Sequence, residues 1–309
     1  MEELEIVPQS QIDGVRIFVN TVEYRSPHLH PEWELLWVLD SPLNITCAQK
    51  KYQIPPGELI LFPPNQPHEF HEMERSCTFL CLQISSRFFP STAHIHTDEM
   101  RLSGCLPEAD DRWLRQTMVD TAQVFLEQKP HAELYCIGQC ALILHRLLKF
   151  VPFHTMSAEE LAHAEQRNAR LNRLIQYVDE NYMHKIKLSD FALLEGCTVS
   201  YMSHFVRDAM NQTFQDYVNS VRFNCARKLI ALTGKPLVSI CYESGFSDYR
   251  YFSRSFQSAY GMSPAEYRLH AQSAPTEQIL PAESLHSREK IYNRRKSLEI
   301  LKEFNIPTG

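Results

Sequence analysis

The apolar residues of this chain change their spacing twice. Over residues 15–84 they come in short runs closed by turn residues. Glu34-Leu35-Leu36-Trp37-Val38-Leu39 is apolar on both faces, Leu59-Ile60-Leu61-Phe62 is a second run, and Phe79-Leu80-Cys81-Leu82-Gln83-Ile84 is a third. Pro55-Pro56-Gly57 and Pro63-Pro64-Asn65-Gln66-Pro67 stand between them as turns. Runs of this length between proline-rich turns predict buried strands, and several close together predict a β jelly roll or barrel. From about residue 110 the period becomes helical. Trp113, Leu114, Met118, Ala122, Phe125 and Leu126 fit one helix, opened by Asp110 and Asp111 at its positive end. Leu134, Ile137, Ala141, Leu144, Leu147 and Leu148 fit a second that stops before Pro152. Cys136 and Cys140, four apart on that helix, read as small core residues. Residues 153–168 are polar and charged and read as a linker.

The back half repeats itself. Ala192 and Gly196 recur as Cys241 and Gly245, and after one inserted residue Tyr201, Met202, Ser203, Ala209 and Tyr217 recur as Tyr251, Phe252, Ser253, Ala259 and Tyr267. Between the copies, Val218, Val221, Cys225, Leu229 and Leu232 share one helical face and predict a connecting helix packed on both. In the second copy Gly245 suits a turn that needs positive φ, and Ser247 or Asp248 caps the helix that follows. On that helix Phe252 and Phe256 face inward at i and i+4, while Tyr249, Arg250 and Arg254 point away. Gly261-Met262-Ser263-Pro264 stops it and starts another. A helix, a glycine turn and a second helix carrying arginines outward form a helix-turn-helix suited to a DNA major groove.

Gly245-Phe246-Ser247-Asp248, Tyr251-Phe252-Ser253-Arg254, Phe256 and Gly261-Met262-Ser263-Pro264 with Tyr267-Arg268 resemble the signature of AraC-type transcriptional regulators. The resemblance implies an all-α DNA-binding domain of two helix-turn-helix units over residues 169–270. It also implies base-facing residues at Ser200, Ser203 and His204 in the first unit and at Tyr249, Arg250 and Arg254 in the second. His204 departs from the arginine often found at that position. Arg207, Lys228 and Arg268 are candidates for phosphate contact or surface ion pairs. Arg222 corresponds to a family arginine in the connecting helix, read as structural. Two recognition helices at fixed spacing would enter major grooves one turn apart and bend the duplex to fit.

In the front part His28, His30 and Glu34 have one parity. An unbroken strand would aim them at one face, although Pro31 threatens that parity. With Gly57, Pro63, Asn65 and His68 they resemble the two cupin motifs, Asn65 taking a glycine position where the backbone needs left-handed φ. This matches the effector-binding domain placed ahead of the DNA-binding part in AraC-type regulators, here residues 1–105. Metal-binding cupins would use His28, His30, Glu34 and His68 as ligands, and three imidazoles with a carboxylate suit Zn, Fe, Ni or Mn. The alternative is that the same residues hydrogen-bond an organic effector, a carbohydrate by the family resemblance, with no cofactor. Trp33 and Trp37 have the other parity. They either pack between layers or stack on a sugar, and on the second reading Trp37 joins the effector set. His94 and His96 read as exposed loop residues.

Charge sharpens the division. The net charge of −6 divides into −10 over residues 1–167, +3 over 168–270 and +1 beyond, as expected if only the back meets nucleic acid. Nine scattered cysteines, an odd total without a C-x-x-C, support neither a disulfide framework nor a zinc ribbon. No apolar run approaches the roughly 18–20 residues of a membrane span, and the acidic start lacks a signal peptide's basic region. The expectation is a cytoplasmic, non-enzymatic, ligand-responsive regulator of double-stranded DNA. It would pair as a homodimer through residues 110–150, in the helical segment 106–152, and meet RNA polymerase if it activates. A metal-dependent cupin enzyme or a metal-sensing regulator is the alternative. The tail, residues 271–309, lies beyond the resemblance, and residues 284–304 are read as a helix.

Overall fold

Alternating Val15, Ile17 and Val19 with Phe18, Asn20 and Val22 gives the first strand, β1 (Val15–His28), two faces that each have apolar partners. In this computed structural model the described residues are 12, 14–47, 50–71, 75–85, 89, 92, 95–97, 100–210, 212–273 and 287–304. They fall into two units, divided at residues 163/164 and 287/288, so that the chain leaves the first unit and returns to it.

In the first unit β1 is followed by β2 (Glu32–Val38), β3 (Leu43–Cys47), β4 (Lys50–Ile54), β5 (Leu59–Phe62), β6 (His68–Phe70), β7 (Cys77–Ser85), β8 (Ile95–His96) and β9 (Met100–Arg101). Most belong to one antiparallel sheet in the order β4-β3-β6-β1-β7-β2-β5-β9, curled into a nearly closed barrel. The register is continuous through the middle: Phe18 pairs with Cys81 and Cys81 with Leu36. Val22, Leu36, Val38, Ile60, Phe62, Phe70 and Phe79 fill the inner face. Val15, Ile17, Val19, Trp33, Leu35, Leu80 and Leu82 cover the outer face.

Helices α1 (Glu108–Glu127) and α2 (Ala132–Leu147) pack on that outer face, so the helical segment shares the barrel's core. On α2 the buried stripe is Cys136, Cys140, Ile143, Leu144 and Leu147. Cys136 and Cys140 are thus core residues, while Leu134 is 73% exposed. His96 is exposed but lies in β8, which pairs with β10 (His154–Thr155); His94 lies outside the described residues. The polar linker becomes helix at α3 (Ala158–Asn181), started by a reciprocal cap in which Ser157 and Glu160 each accept the other's backbone N–H.

The tail corrects another expectation. Over the described part of that stretch, residues 287–304, there is no single helix: β11 (Ser287–Ile291) pairs with β1 and is followed by α10 (Arg294–Glu303). β6 is three residues long and pairs β1 only at Arg25 and His28. That leaves the earlier backbone groups on this edge of β1 to be satisfied, and an open strand edge recruits any extended segment within reach. Ile300 and Leu301 of α10 are buried in the outer core.

The second unit is helical. α4 (Leu188–Leu194) and α5 (Val199–Met210) are one helix-turn-helix, α6 (Phe214–Leu232) is the connecting helix, and α7 (Leu237–Glu243) and α8 (Tyr249–Tyr260) repeat the first pair before α9 (Pro264–Ser273). The copies match in helix length, seven residues and twelve. Both turn glycines have positive φ, 65° at Gly196 and 85° at Gly245. Asp248, not Ser247, caps α8 by accepting the Tyr251 N–H at 2.6 Å, and Gly261 ends it in the left-handed conformation. Phe252 and Phe256 are fully buried in one core with Ala226, Ile230, Ile240 and Phe246, each contributing about 1.5–3 kcal/mol.

The two glycines differ in their surroundings. A Cβ at Gly196 would meet open space, whereas one at Gly245 would lie 2.5 Å from the Tyr182 carbonyl oxygen and 2.9 Å from Arg222 Nε. Gly196→Ala is therefore expected to cost about 1–2 kcal/mol through positive φ alone. Gly245→Ala should cost well above that, and paired urea titrations followed by far-ultraviolet circular dichroism check the order.

Candidate effector pocket and nucleic-acid interface

On the inner face of the barrel one carboxylate and three imidazoles meet among apolar residues. Glu34 lies on β2 directly opposite Gln83 of β7, which donates to Glu34 Oε2 at 2.7 Å. His30 Nε2 is 2.7 Å from the same oxygen, and His68 Nε2 is 3.8 Å from Oε1. His28 pairs across strands with His68, their ring centroids 4.1 Å apart. The histidines do not converge along one unbroken strand. β1 ends at His28 after a bulge, His30 stands in the connector, and β2 begins at Glu32. The Asn65 turn holds that connector, since Asn65 has φ 60° and donates its N–H to the His30 carbonyl at 2.8 Å.

Burial sets the protonation of the site. His68 is pushed down to about 4, chiefly because burial disfavours its charged form, although Glu34 pulls the other way. For Glu34, burial alone would raise the pKa. The His30 charge and hydrogen bond, His68 and the Gln83 amide outweigh it, and the carboxyl lies well below the usual range. Near neutrality the site thus holds a carboxylate beside a neutral His68 whose ring, with Nδ1 2.9 Å from the Gln66 carbonyl, donates there. That leaves the His68 Nε2 lone pair aimed into the cluster. Phe62 stacks on the His68 ring at 4.3 Å.

The structure brings His28, His30, Glu34 and His68 together. Trp37 lies elsewhere: it is on the opposite face of β2, 6% exposed in the outer core, with the Arg115 guanidinium 5.2 Å above its ring. The period of two along β2 separates it from Glu34, so its place in the effector set is corrected to a place in the core. Gln83 was missed, although a lone amide inside the buried strand Cys77–Ser85 marks it.

On the second unit Arg250 and Arg254 are exposed on α8. Tyr249 is half-buried, its ring 5.9 Å from Phe252, so it leans on the core more than the pattern implied. On α5 Ser200, His204 and Arg207 are exposed and Ser203 is half-buried. Arg222 faces inward and donates to the carbonyls of Tyr182 and His184, both at 2.7 Å, which clamps the end of α3 to the connecting helix. Arg268 donates to the Lys235 carbonyl at 2.6 Å. Glu195 is held by Arg170 and Arg173 of α3 at 3.1 and 2.6 Å. Among the described residues no helix is long and apolar enough to cross a membrane.

A barrel with a polar cluster in its interior, followed by a duplicated helix-turn-helix, defines a transcriptional regulator with an N-terminal ligand-binding domain. A family model described as an AraC-like ligand binding domain matches residues 12–135, and one described as a helix-turn-helix domain matches residues 192–270. The chain belongs to the AraC-type family of transcriptional regulators. Among its relatives is the HTH-type transcriptional regulator YbfI of Bacillus subtilis, 21% identical over 79% of this chain and 87% of that one. Another is the HTH-type transcriptional activator RhaS of Mannheimia succiniciproducens, 21% identical over 78% and 88%. Among solved structures, ToxT of Vibrio cholerae is 14% identical over 84% of this chain and 99% of that one, with a TM-score of 0.43.

The low pKa of His68 has a consequence for stability. Between its folded value of about 4 and the ordinary 6.5 the unfolded chain binds more protons, so stability is full above 6.5 and falls with the pH. Glu34, also depressed, adds loss of the same sign at lower pH. From pH 7 to 5 the His68 contribution should fall by about 2 kcal/mol. All three tryptophans lie in the first unit. Urea titrations followed by tryptophan fluorescence should therefore show the difference, and His68→Gln should remove it.

Proposed function

We propose that the chain is a non-enzymatic, cytoplasmic regulator that binds a specific duplex DNA sequence and responds to a small polar effector, a carbohydrate in class, held by His28, His30, Glu34 and His68. The duplicated unit carries the reading. Arg250 and Arg254 stand exposed on the helix whose other face is anchored by Phe252 and Phe256. Arg254 is assigned to a guanine edge, because a guanidinium matches its two acceptors. Arg250 and the half-buried Tyr249 flank it. Ser200, Ser203 and His204 offer shorter groups, so the first unit reads less tightly, with Arg207 on phosphate. On this reading the two recognition helices enter major grooves one turn of DNA apart.

The effector acts by binding one arrangement of the protein better than another. Imidazole and carboxylate groups against an apolar wall of Phe62 and Phe70 supply hydrogen bonds for hydroxyls and a face for ring carbons. A homodimer through residues 110–150 is supported by the exposed Leu134, Tyr135 and Leu142 on α2. RNA polymerase is the further partner where the chain activates.

One observation favours a second reading of the pocket. The ligand atoms of His28, His30 and His68 lie within 4.8 Å of one another, and the carbonyl that fixes the His68 tautomer is the usual outer partner of a metal-bound imidazole. These residues with Glu34 fit a divalent transition ion, which would act as the sensed ligand.

Footprinting on neighbouring promoter DNA tests the main reading, and absence of protection at low salt would overturn it. Arg254→Ala should weaken specific binding about 10- to 100-fold and relax one base position, whereas Arg207→Ala should weaken all sequences alike and reduce the salt slope by about one. Elemental analysis of the purified chain and of His30→Ala decides the metal: a stoichiometric ion lost in the variant establishes the second reading.

A further inference from the structure

The C-terminal strand places a second carboxylate inside the barrel. Asn20 shares the inner face of β1 with Phe18 and Val22, and it is fully buried. Its Nδ2 donates to Glu289 Oε2 at 2.6 Å, and Arg25 Nη1 is 3.7 Å from the same oxygen. The Glu289 side chain is only 8% exposed. Among the described residues the other polar atom of Asn20, Oδ1, is buried with no hydrogen-bond partner. Three further contacts secure the strand that carries Glu289. The Tyr292 N–H donates to the Val19 carbonyl at 3.2 Å, the Tyr292 hydroxyl meets Thr21 Oγ1 at 2.8 Å, and Leu301 lies in the outer core.

We propose that Asn20 and Arg25 form a carboxylate-recognising subsite of the barrel, occupied in this state by the chain's own Glu289, and that a carboxylate-bearing small molecule takes that place by displacing β11. An amide N–H and a guanidinium converging on one oxygen are the donors that recognise a carboxylate from any source. Glu289 reaches them from a five-residue strand that pairs with β1 off the main path of the sheet, so its place can be contested. The buried, unpartnered Asn20 Oδ1 is what an internal occupant leaves over; a ligand with a hydroxyl beside its carboxylate would satisfy it. The proposal rests on the reading that the barrel takes an effector, and it narrows the class to an acid; an acid of a carbohydrate fits both polar sets. Because the DNA-reading unit lies in the chain between residues 164 and 287, release of β11 frees one of its two covalent connections to the barrel.

Removing the internal carboxylate tests the subsite with acetate as the probe. In full-length Glu289→Ala, acetate at constant ionic strength should raise the melting temperature saturably, by about 2–4 °C, and slow hydrogen exchange in the peptide containing Tyr292. Chloride should do neither. Glu289→Ala combined with Arg25→Gln should lose the acetate effect. Glu289→Gln, which keeps the shape and one acceptor, should show little or none, and it serves as the folded reference if the alanine variant is unstable. An acetate effect absent from Glu289→Ala, or equal in the double variant, would overturn the proposal. DNA binding measured on the same samples separates the two readings: loss of binding in the wild-type chain strikes the regulator, and the acetate result strikes only the subsite.

Discussion

A strand of fourteen residues exposes two rows of backbone donors and acceptors, and in β1 both rows lie within a barrel. One edge is taken by β7 over Val15 to Val22. The other is shared by β6, at Arg25 and His28, and by β11 from the far end of the chain. The need to satisfy these groups determines much of the first unit. It puts His28 across from His68, brings the tail back over more than 250 residues, as the Asn20–Glu289 hydrogen bond shows, and sets which side chains of β1 face inward. The helices α1 and α2 then cover the outer face that this ladder presents.

Within the barrel the balance is between desolvation and partners. A lone buried carboxylate would take up a proton, but Glu34 is met by His30 and by the Gln83 amide and keeps its charge. His68, equally buried and less well compensated, becomes neutral instead. One anionic and one neutral acceptor set in an apolar wall is a receptive arrangement. It leaves lone pairs directed at a shared space, and the same feature makes the site suitable for hydroxyls or for a metal ion.

The second unit applies one scaffold twice with unequal results. Both copies use a seven-residue helix, a glycine in the left-handed region and a twelve-residue helix. Yet Gly245 is packed against the Tyr182 carbonyl and Arg222, and Gly196 faces open space. The second copy is therefore fixed to the connecting helix through its turn. The first is fixed through Glu195, which Arg170 and Arg173 hold from α3. The copy with the sterically confined turn also bears the exposed arginines on α8.

Much of this was written locally. Glycines needing positive φ, the aspartate cap of α8, the Phe252–Phe256 pair and the duplicated pattern depend on neighbours within a turn or two, so the sequence by itself determined the helix-turn-helix units and the barrel strands. The four pocket residues were legible as a set because motif spacing carried them, although the parity argument did not: the strand breaks at the connector, and the Asn65 turn brings His30 into place. What only the tertiary structure decided depends on distant partners. Trp37 went to the core because β2 presents its odd positions to α1's side. Gln83 joined Glu34 through cross-strand register. Residues 287–291 became a strand, and Glu289 a buried carboxylate, because an unpaired edge of β1 was waiting for them. No local propensity carries that information, since the free energy that selects it lies in backbone groups at the other end of the chain.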